Sequence, residues 1–418
     1  MEEHMRKVTL VFLLLLGLAF AEGEWELVGF ENSNVTCIAQ HPQDTSVVLA
    51  ALADSLFQST DGGDSWSFLV HFNGLPINHV MYDPTFCDTV YALIGNGSYS
   101  DGIYRSTNGG NAWSVLEWFL FPRCMVIPSL PPFFMLVGCD STGIFKTEDG
   151  GSTWLPWNNG LTDFHIYSLA FCNPSDSFPI FYAGTTHGLF YKFWNDWIQA
   201  IGIPTDLRVS SIFHHSTQQI GFAAVTGGSW SDGIYRSTDY GQSWQVVDWW
   251  IYPSCVALNP LWQYYPSDTC GVFAGDSGLG VKYSSDCGNT WQEVNSGLAN
   301  LYVNALSFHP QDSMRLFAAT QGGLCRYGYQ PGIVEHVAFD ADKGFSISKK
   351  ILRANEPVPV RIDGQCVIEI FDATGRAVRR EWLGEEATHI SPIQHTGIYY
   401  VLLSNTRNSC REKIIIVE

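Results

Sequence analysis

The chain has 418 residues, of which 46% are hydrophobic, 14% aromatic and only 15% charged, with 39 Gly and a formal charge of −19. So acidic a chain lacks the basic surface that nucleic acid or an anionic membrane requires, and both are excluded as partners. Abundant aromatics and glycines with few charges suit many short strands joined by tight turns, an all-β chain.

The first predicted element is a targeting signal. Arg6 and Lys7 precede an apolar run from Val8 to Leu18, and Ala19-Phe20-Ala21 offers small residues for cleavage, so residues 1–21 read as a signal peptide. The run is too short to span a bilayer comfortably, and no later segment qualifies as a transmembrane helix. Residues 24–30, EWELVGF, then read as a strand.

From Ser59 one phrase recurs: STDGGDSW, STNGGNAW from Ser106, TEDGGSTW from Thr147, STDYGQSW from Ser237 and SSDCGNTW from Ser284. Each copy holds an Asx residue (Asp61, Asn108, Asp149, Asp239, Asp286), a Gly two positions on, and a Trp after that (Trp66, Trp113, Trp154, Trp244, Trp291). The Asx side chain accepts hydrogen bonds from turn amides and the Gly takes a positive φ, so each box is a hairpin turn between two strands. Successive Asx positions lie 47, 41, 90 and 47 residues apart. The long gap holds two periods, and its LAF, FYAGTTHGLFYKF, Trp194 and Trp197 keep the strand pattern without a box. After the fifth box, Val303 to Gly328 supplies three more strands, and the strand at residues 24–30 provides the fourth. The prediction is a ring of seven four-stranded blades over residues 22–332, closed by its own N-terminus.

A longer repeat overlies the short one. Gly97 to Cys124 aligns without gaps to Gly228 to Cys255, and the segment from Asn158 matches that from Asn295, so blades 2 and 3 look like copies of blades 5 and 6. Cys37, Cys124 and Cys255 share one strand position in different blades and read as small buried hydrophobes. Neither CxxC nor a DxDxDG run occurs, so no metal or other cofactor is expected. Residues 333–348 read as a linker and 349–418 as a small β-sandwich, in which Cys366 and Cys410 would bridge if their strands are neighbours.

Two resemblances follow from these motifs. Within the last 70 residues, Phe371-Asp372-Ala373-Thr374-Gly375-Arg376, Gly397-Ile398-Tyr399 and Lys413-Ile414-Ile415 resemble the C-terminal sorting domain of the bacterial type IX secretion system. That resemblance implies recognition by the secretion machinery and an address outside the cell or on its outer surface. The five boxes resemble the Asp-box, or BNR, repeat of sialidases, sortilin-like receptors, xyloglucanase-type glycosidases and photosystem II assembly factors. It implies a seven-bladed β-propeller, whereas chemistry differs among families that share the turn.

Residues for catalysis are few. A sialidase-like site implies three arginines and an early Phe/Tyr-Arg-Ile-Pro segment, which is missing; Arg105, Arg236 and Arg326 belong to strands before a box, and only Arg123 and Arg208 lie near the start of inner strands. Glycoside hydrolysis asks for two facing carboxylates, and the candidates Asp101/Asp232 and Glu117/Asp248 are split between repeat copies. No catalytic residue is assigned, and a hydrolase working in the propeller channel is the alternative. Binding residues are easier to name, because loops joining strands two to three and blade to blade lie opposite the boxes. They carry Tyr99, Asp101 and Trp118 in blade 2 and Trp230, Asp232, Trp249 and Trp250 in blade 5. Such rings stack on sugars or bury against proteins, and equally fill the widening wedge between blades. The expected function is a non-catalytic scaffold for an extracellular glycan or protein.

Overall fold

The computed structural model describes residues 24–96, 101–118, 121–128, 134–174, 179–193, 195–215, 219–228, 230–249, 252–259, 271–309 and 312–328, together with the backbone of eight strands between 345 and 417. The expectations for residues 1–21, Tyr99, Trp194, Trp250, Gly375 and Arg376 lie outside the described residues. The chain forms two units, residues 1–332 and 333–418.

The first unit is a seven-bladed propeller of four-stranded antiparallel sheets. Blade 1 is Val35–Gln40, Val48–Leu52, Ser55–Ser59 and Ser67–His71, and blade 2 is Ile77–Tyr82, Val90–Ile94, Gly102–Ser106 and Ser114–Trp118. Blade 3 comprises Pro122–Val126, Met135–Cys139, Gly143–Thr147 and Leu155–Pro156; blade 4 comprises Ile166–Cys172, Ile180–Thr185, Gly188–Lys192 and Trp197–Gln199. Blade 5 runs through Arg208–His214, Gly221–Thr226, Gly233–Ser237 and Gln245–Trp249, and blade 6 through Pro253–Leu258, Val272–Asp276, Val281–Ser284 and Gln292–Glu293. Blade 7 joins Val303–His309, Asp312–Thr320 and Gly323–Gly328 to the N-terminal Glu24–Gly29, which pairs with Gly323–Gly328 and closes the ring.

Burial explains the strand compositions. The second strands Val90–Ile94, Ile180–Thr185 and Val272–Asp276 are buried at every position, because neighbouring blades cover both faces, and they read as predominantly apolar runs, with polar Thr185 and Asp276 at two of the ends. The outermost Ser114–Trp118 and Gln245–Trp249 hold only exposed and half-buried residues. Apolar packing is divided seven ways: each cluster draws on two adjacent blades, as where Leu49 and Ala51 of blade 1 meet Val80 and Ala92 of blade 2.

The recurring turn is built identically five times. In the first copy Ser59 Oγ accepts the Gly63 amide at 2.8 Å and donates to Asp61 Oδ1 at 2.7 Å, while Asp61 accepts the Ser65 amide at 2.9 Å. Asn108, Asp149, Asp239 and Asp286 repeat these bonds with Ser106, Thr147, Ser237 and Ser284. The Trp Nε1 then caps the turn glycine's carbonyl in four copies, Trp66 on Gly63, Trp113 on Gly110, Trp244 on Gly241 and Trp291 on Gly288; the buried Trp154 Nε1 has no such partner. That glycine also faces the preceding blade: at Gly241, φ +77°, an added Cβ would lie 2.2 Å from the Tyr182 ring of blade 4.

A second regularity ties blades together. The carbonyl that follows each Asx residue accepts a side-chain hydrogen bond from the blade before: Gly62 from Arg326, Gly109 from Gln58, Gly150 from Arg105, Tyr240 from Tyr182 and Cys287 from Arg236. Asp248 adds a similar tie, pairing with Lys282 of the next blade at 2.7 Å.

In the second unit, one five-stranded sheet runs in the order Ile351–Arg353, Ser409–Val417, Gly397–Ser404, Cys366–Asp372 and Ala377–Leu383. Three further strands, Phe345–Ile347, Val358–Ile362 and His389–Ile390, pair among themselves. The sheet sets the strands carrying Asp372, Gly397, Tyr399 and Lys413 side by side, with Asp372 opposite Tyr399 and Lys413 opposite Tyr400. The condition for a Cys366–Cys410 bridge is not met. Gly397–Ser404 lies between their strands, and two strand spacings, about 9.6 Å, exceed the roughly 7 Å that a disulfide allows. In the propeller Cys37, Cys124 and Cys255 are free thiols and buried.

Candidate functional site

Each innermost strand carries a β-bulge one or two residues from its start, on the face opposite the boxes. The register shifts there in all seven blades, leaving Thr36, Asn78, Arg123, Tyr167, Ser210, Ser254 and Asn304 as the extra residues around the channel mouth. An extra residue in one strand is unpaired and its side chain is re-aimed. Four of the seven use that freedom to close the ring: Asn78 donates to the Pro122 carbonyl, Ser210 to Pro253, Ser254 to Val303 and Asn304 to Val35, each in the next blade. Thr36 donates to Ala51 in its own blade.

Arg123 and Tyr167 break the pattern. The Arg123 guanidinium pairs with Asp140 at 2.6 Å and lies over the Tyr167 ring, 4.5 Å from its centroid. Arg208 of blade 5 lies 5.0 Å from the same centroid, so the phenol is flanked by two cations. Among the described residues Arg208 meets no carboxylate, an unneutralised cation on a chain of charge −19. Beside this group a cleft of about 580 Å³ opens between blades 2, 3 and 4, lined by Asn78, Asp101, Arg123, Asp140 and Tyr167. His165, 4.0 Å from Asp140, and His187 both bond Asp163, whose oxygens accept their amides and Nδ1–H groups at 2.9–3.0 Å.

Of the sequence-predicted binding residues, Asp101 lines this cleft, whereas Asp232, Trp118, Trp230 and Trp249 do not. Asp101 and Asp232 are buried and turned into their own loops: Asp101 accepts the Asn96 amide at 3.1 Å, and Asp232 accepts the Gly227 and Gly228 amides at 3.0 and 2.8 Å. They shape those loops instead of projecting to solvent. Trp118 and Trp249 end the outermost strands, 40% and 45% exposed, at the perimeter and away from the channel mouth. Trp230 is 80% exposed on the strand-two-to-three loop of blade 5. Arg105, Arg236 and Arg326 serve the blade-to-blade ties described above. Among the described residues no group of three or more His, Cys, Asp or Glu could hold a metal ion.

The repeat comparison contained the missing signal. Ser254 stands where Arg123 does, 131 residues on, and Asn304 where Tyr167 does, 137 residues on. The copies that keep Ser and Asn keep the ring bonds, and the copies that changed face the cleft.

No family model and no curated protein matches the sequence. Solved structures do. YCF48 bound to D1 peptide superposes with a TM-score of 0.53 at 18% identity, covering 74% of this chain and 96% of that one. The GH74 xyloglucanase from Xanthomonas campestris gives 0.56 at 16% identity, covering 74% of this chain and 54% of that one. The extracellular domain of the hybrid two component system BT4673 from B. thetaiotaomicron gives 0.57 at 16% identity, covering 94% and 52%. The chain thus spans about half the length of the last two, and at these identities the likeness is one of fold: a seven-bladed β-propeller.

Proposed function

We propose that this is an exported propeller of the Asp-box type that acts as a non-catalytic binding scaffold, holding an extracellular glycan or protein through a carboxylate at the channel mouth. The observation that carries the reading is the broken ring: three of seven equivalent positions make no hydrogen bond to the next blade, and two of them, Arg123 and Tyr167, present with Arg208 a Tyr ring flanked by guanidiniums beside the cleft. Arginine suits planar carboxylates and stacks on aromatic faces, and the acidic remainder of the chain makes an adventitious cationic pair here costly to explain otherwise. Export rests on the signal-like residues 1–21 and on the sorting-domain motif around Asp372, Gly397 and Lys413. The solved propellers that bind a peptide or form extracellular domains are consistent with such a role.

The hydrolase alternative is weaker at this cleft. Asp101 is engaged by its own loop and Asp140 by Arg123, so neither is free to act as one of two facing carboxylates. The test is a binding screen of the full chain against carboxylated oligosaccharides, their methyl esters and acidic peptides, with product analysis of positives. Binding of acids over esters, weakened in Arg208→Gln, is the expected outcome; release of shortened sugars would turn the reading to the hydrolase.

A further inference from the structure

The polar rim beside the cleft is wired as a chain. Asp163 is only 6% exposed and accepts four hydrogen bonds, two each from His165 and His187. Burial opposes ionisation there, but those donors prevail and hold the carboxyl at about 2, so it is an anion at any ordinary pH. An ionised carboxylate only accepts, which fixes a proton on Nδ1 of both imidazoles and leaves Nε2 as the basic nitrogen of each. His165 Nε2 lies 4.0 Å from Asp140 Oδ1, and the other oxygen of Asp140 is the one that Arg123 holds at 2.6 Å. The charged and titratable groups around His165 are therefore Asp163 on its own connection, Asp140 and Arg123 from blade 3 and His187 from blade 4, with Tyr167 and Arg208 completing the mouth.

The related blade shows that folding does not demand this arrangement. Asn300 stands for Asp163 and accepts the Tyr302 amide at 2.8 Å, Tyr302 stands for His165, and Gly322 stands for His187, its amide bonded to Thr320 as that of His187 is to Thr185. Every titratable member is present only in the half of the ring that carries Arg123 and Tyr167.

We propose that the mouth is a proton-linked anion site: a proton taken up on Nε2 of His165 makes a second cation for Asp140, loosens its hold on Arg123, and with His187 tightens binding of a carboxylate ligand. This rests on the reading of the mouth as a carboxylate site. Coupling of this kind typically reaches about tenfold in affinity.

Two measurements on the full chain test it. With histidine ring nitrogens labelled and no ligand added, NMR should show His165 and His187 as Nδ1–H tautomers at pH 8. The Nε2–H tautomer at either residue overturns the wiring. Calorimetry with trigalacturonate, ionised throughout the range, and with its methyl ester should show acid-selective binding that tightens about tenfold from pH 8 to 5.5 and loses most of that dependence in His165→Gln/His187→Gln. Equal pH dependence in the variant overturns the proton link while leaving the site; absence of acid-selective binding at every pH, for trigalacturonate and for an acidic tetrapeptide, overturns the site and the link together.

Discussion

Arg236 donates from blade 5 to the carbonyl of Cys287 in blade 6 at 2.6 Å, and its guanidinium also reaches Asn289 Oδ1 at 2.9 Å. The bond makes the recurring turn a joint between blades as well as a hairpin. It recurs at all five turns, through Arg326, Gln58, Arg105 and Tyr182. Lys146 and Tyr283, in the corresponding strands of blades 3 and 6, precede blades without the turn.

Removing the Arg236 joint should destabilise the propeller modestly. A partly exposed charged hydrogen bond to a carbonyl contributes about 1 kcal/mol, so Arg236→Met is expected to lower the thermal midpoint by roughly 2 °C. Differential scanning calorimetry of Arg236→Met beside the parent checks this.

Two turn glycines separate backbone strain from steric overlap. Gly150 has φ +72° and open space around an added Cβ, so Gly150→Ala should cost about 1 kcal/mol. Gly241 has a similar φ but its Cβ would overlap the Tyr182 ring, and Gly241→Ala should cost more than about 3 kcal/mol. Urea denaturation of the two variants gives the comparison directly.

How much was legible beforehand follows from where each signal resides. The turn residues announce themselves because Asp61 or Gly241 is chosen for its own local geometry, so a spacing of 41 to 47 residues translates into blades. Asp101 and Asp232 accept amides of their own loops, and a buried aspartate of this kind has the same sequence signature as one facing solvent. The bulges at Arg123 and Tyr167 are a matter of strand register, which no residue type marks. Their departure from Ser254 and Asn304 was visible in the aligned repeats, yet its meaning needed the ring of bonds that those two residues make.

Acid should destabilise the protein in part through His214, with the buried His79 shifted the same way. The His214 imidazole is 5% exposed, stacked 4.8 Å from Tyr182, and burial lowers it to about 4 against a weaker opposing bond from the His215 carbonyl. The unfolded chain then binds the extra proton between pH 6.5 and 4, so stability falls as pH drops through that window, by about 3 kcal/mol in all. His214→Phe should flatten the loss, read from denaturant midpoints at pH 7 and 4.

Asp163 is also shifted downward, here because its hydrogen bonds favour the charged form over the opposing effect of burial. Its folded value of about 2 lies below the unfolded one, so its contribution is present above about pH 4 and disappears as pH falls toward 2. Asp163→Asn is expected to cost about 2 kcal/mol at pH 7 and nothing measurable at pH 2, provided both chains remain folded enough to melt. Calorimetric scans at pH 7, 4 and 2.5 follow the gap as it closes.

The most direct test of the channel mouth as the binding site exchanges its two exceptional residues for those of the related blades. Arg123→Ser with Tyr167→Asn restores at both positions the residue types that tie Ser254 and Asn304 to the next blade. Calorimetric titration of this variant and the parent with the acidic glycan or peptide that binds the parent should show an unchanged or higher thermal midpoint and at least a tenfold loss of affinity. Affinity equal to the parent in a fully folded variant would contradict the account and move the search for the ligand to the exposed rings of blades 5 and 6, Trp230, Trp249 and Tyr252.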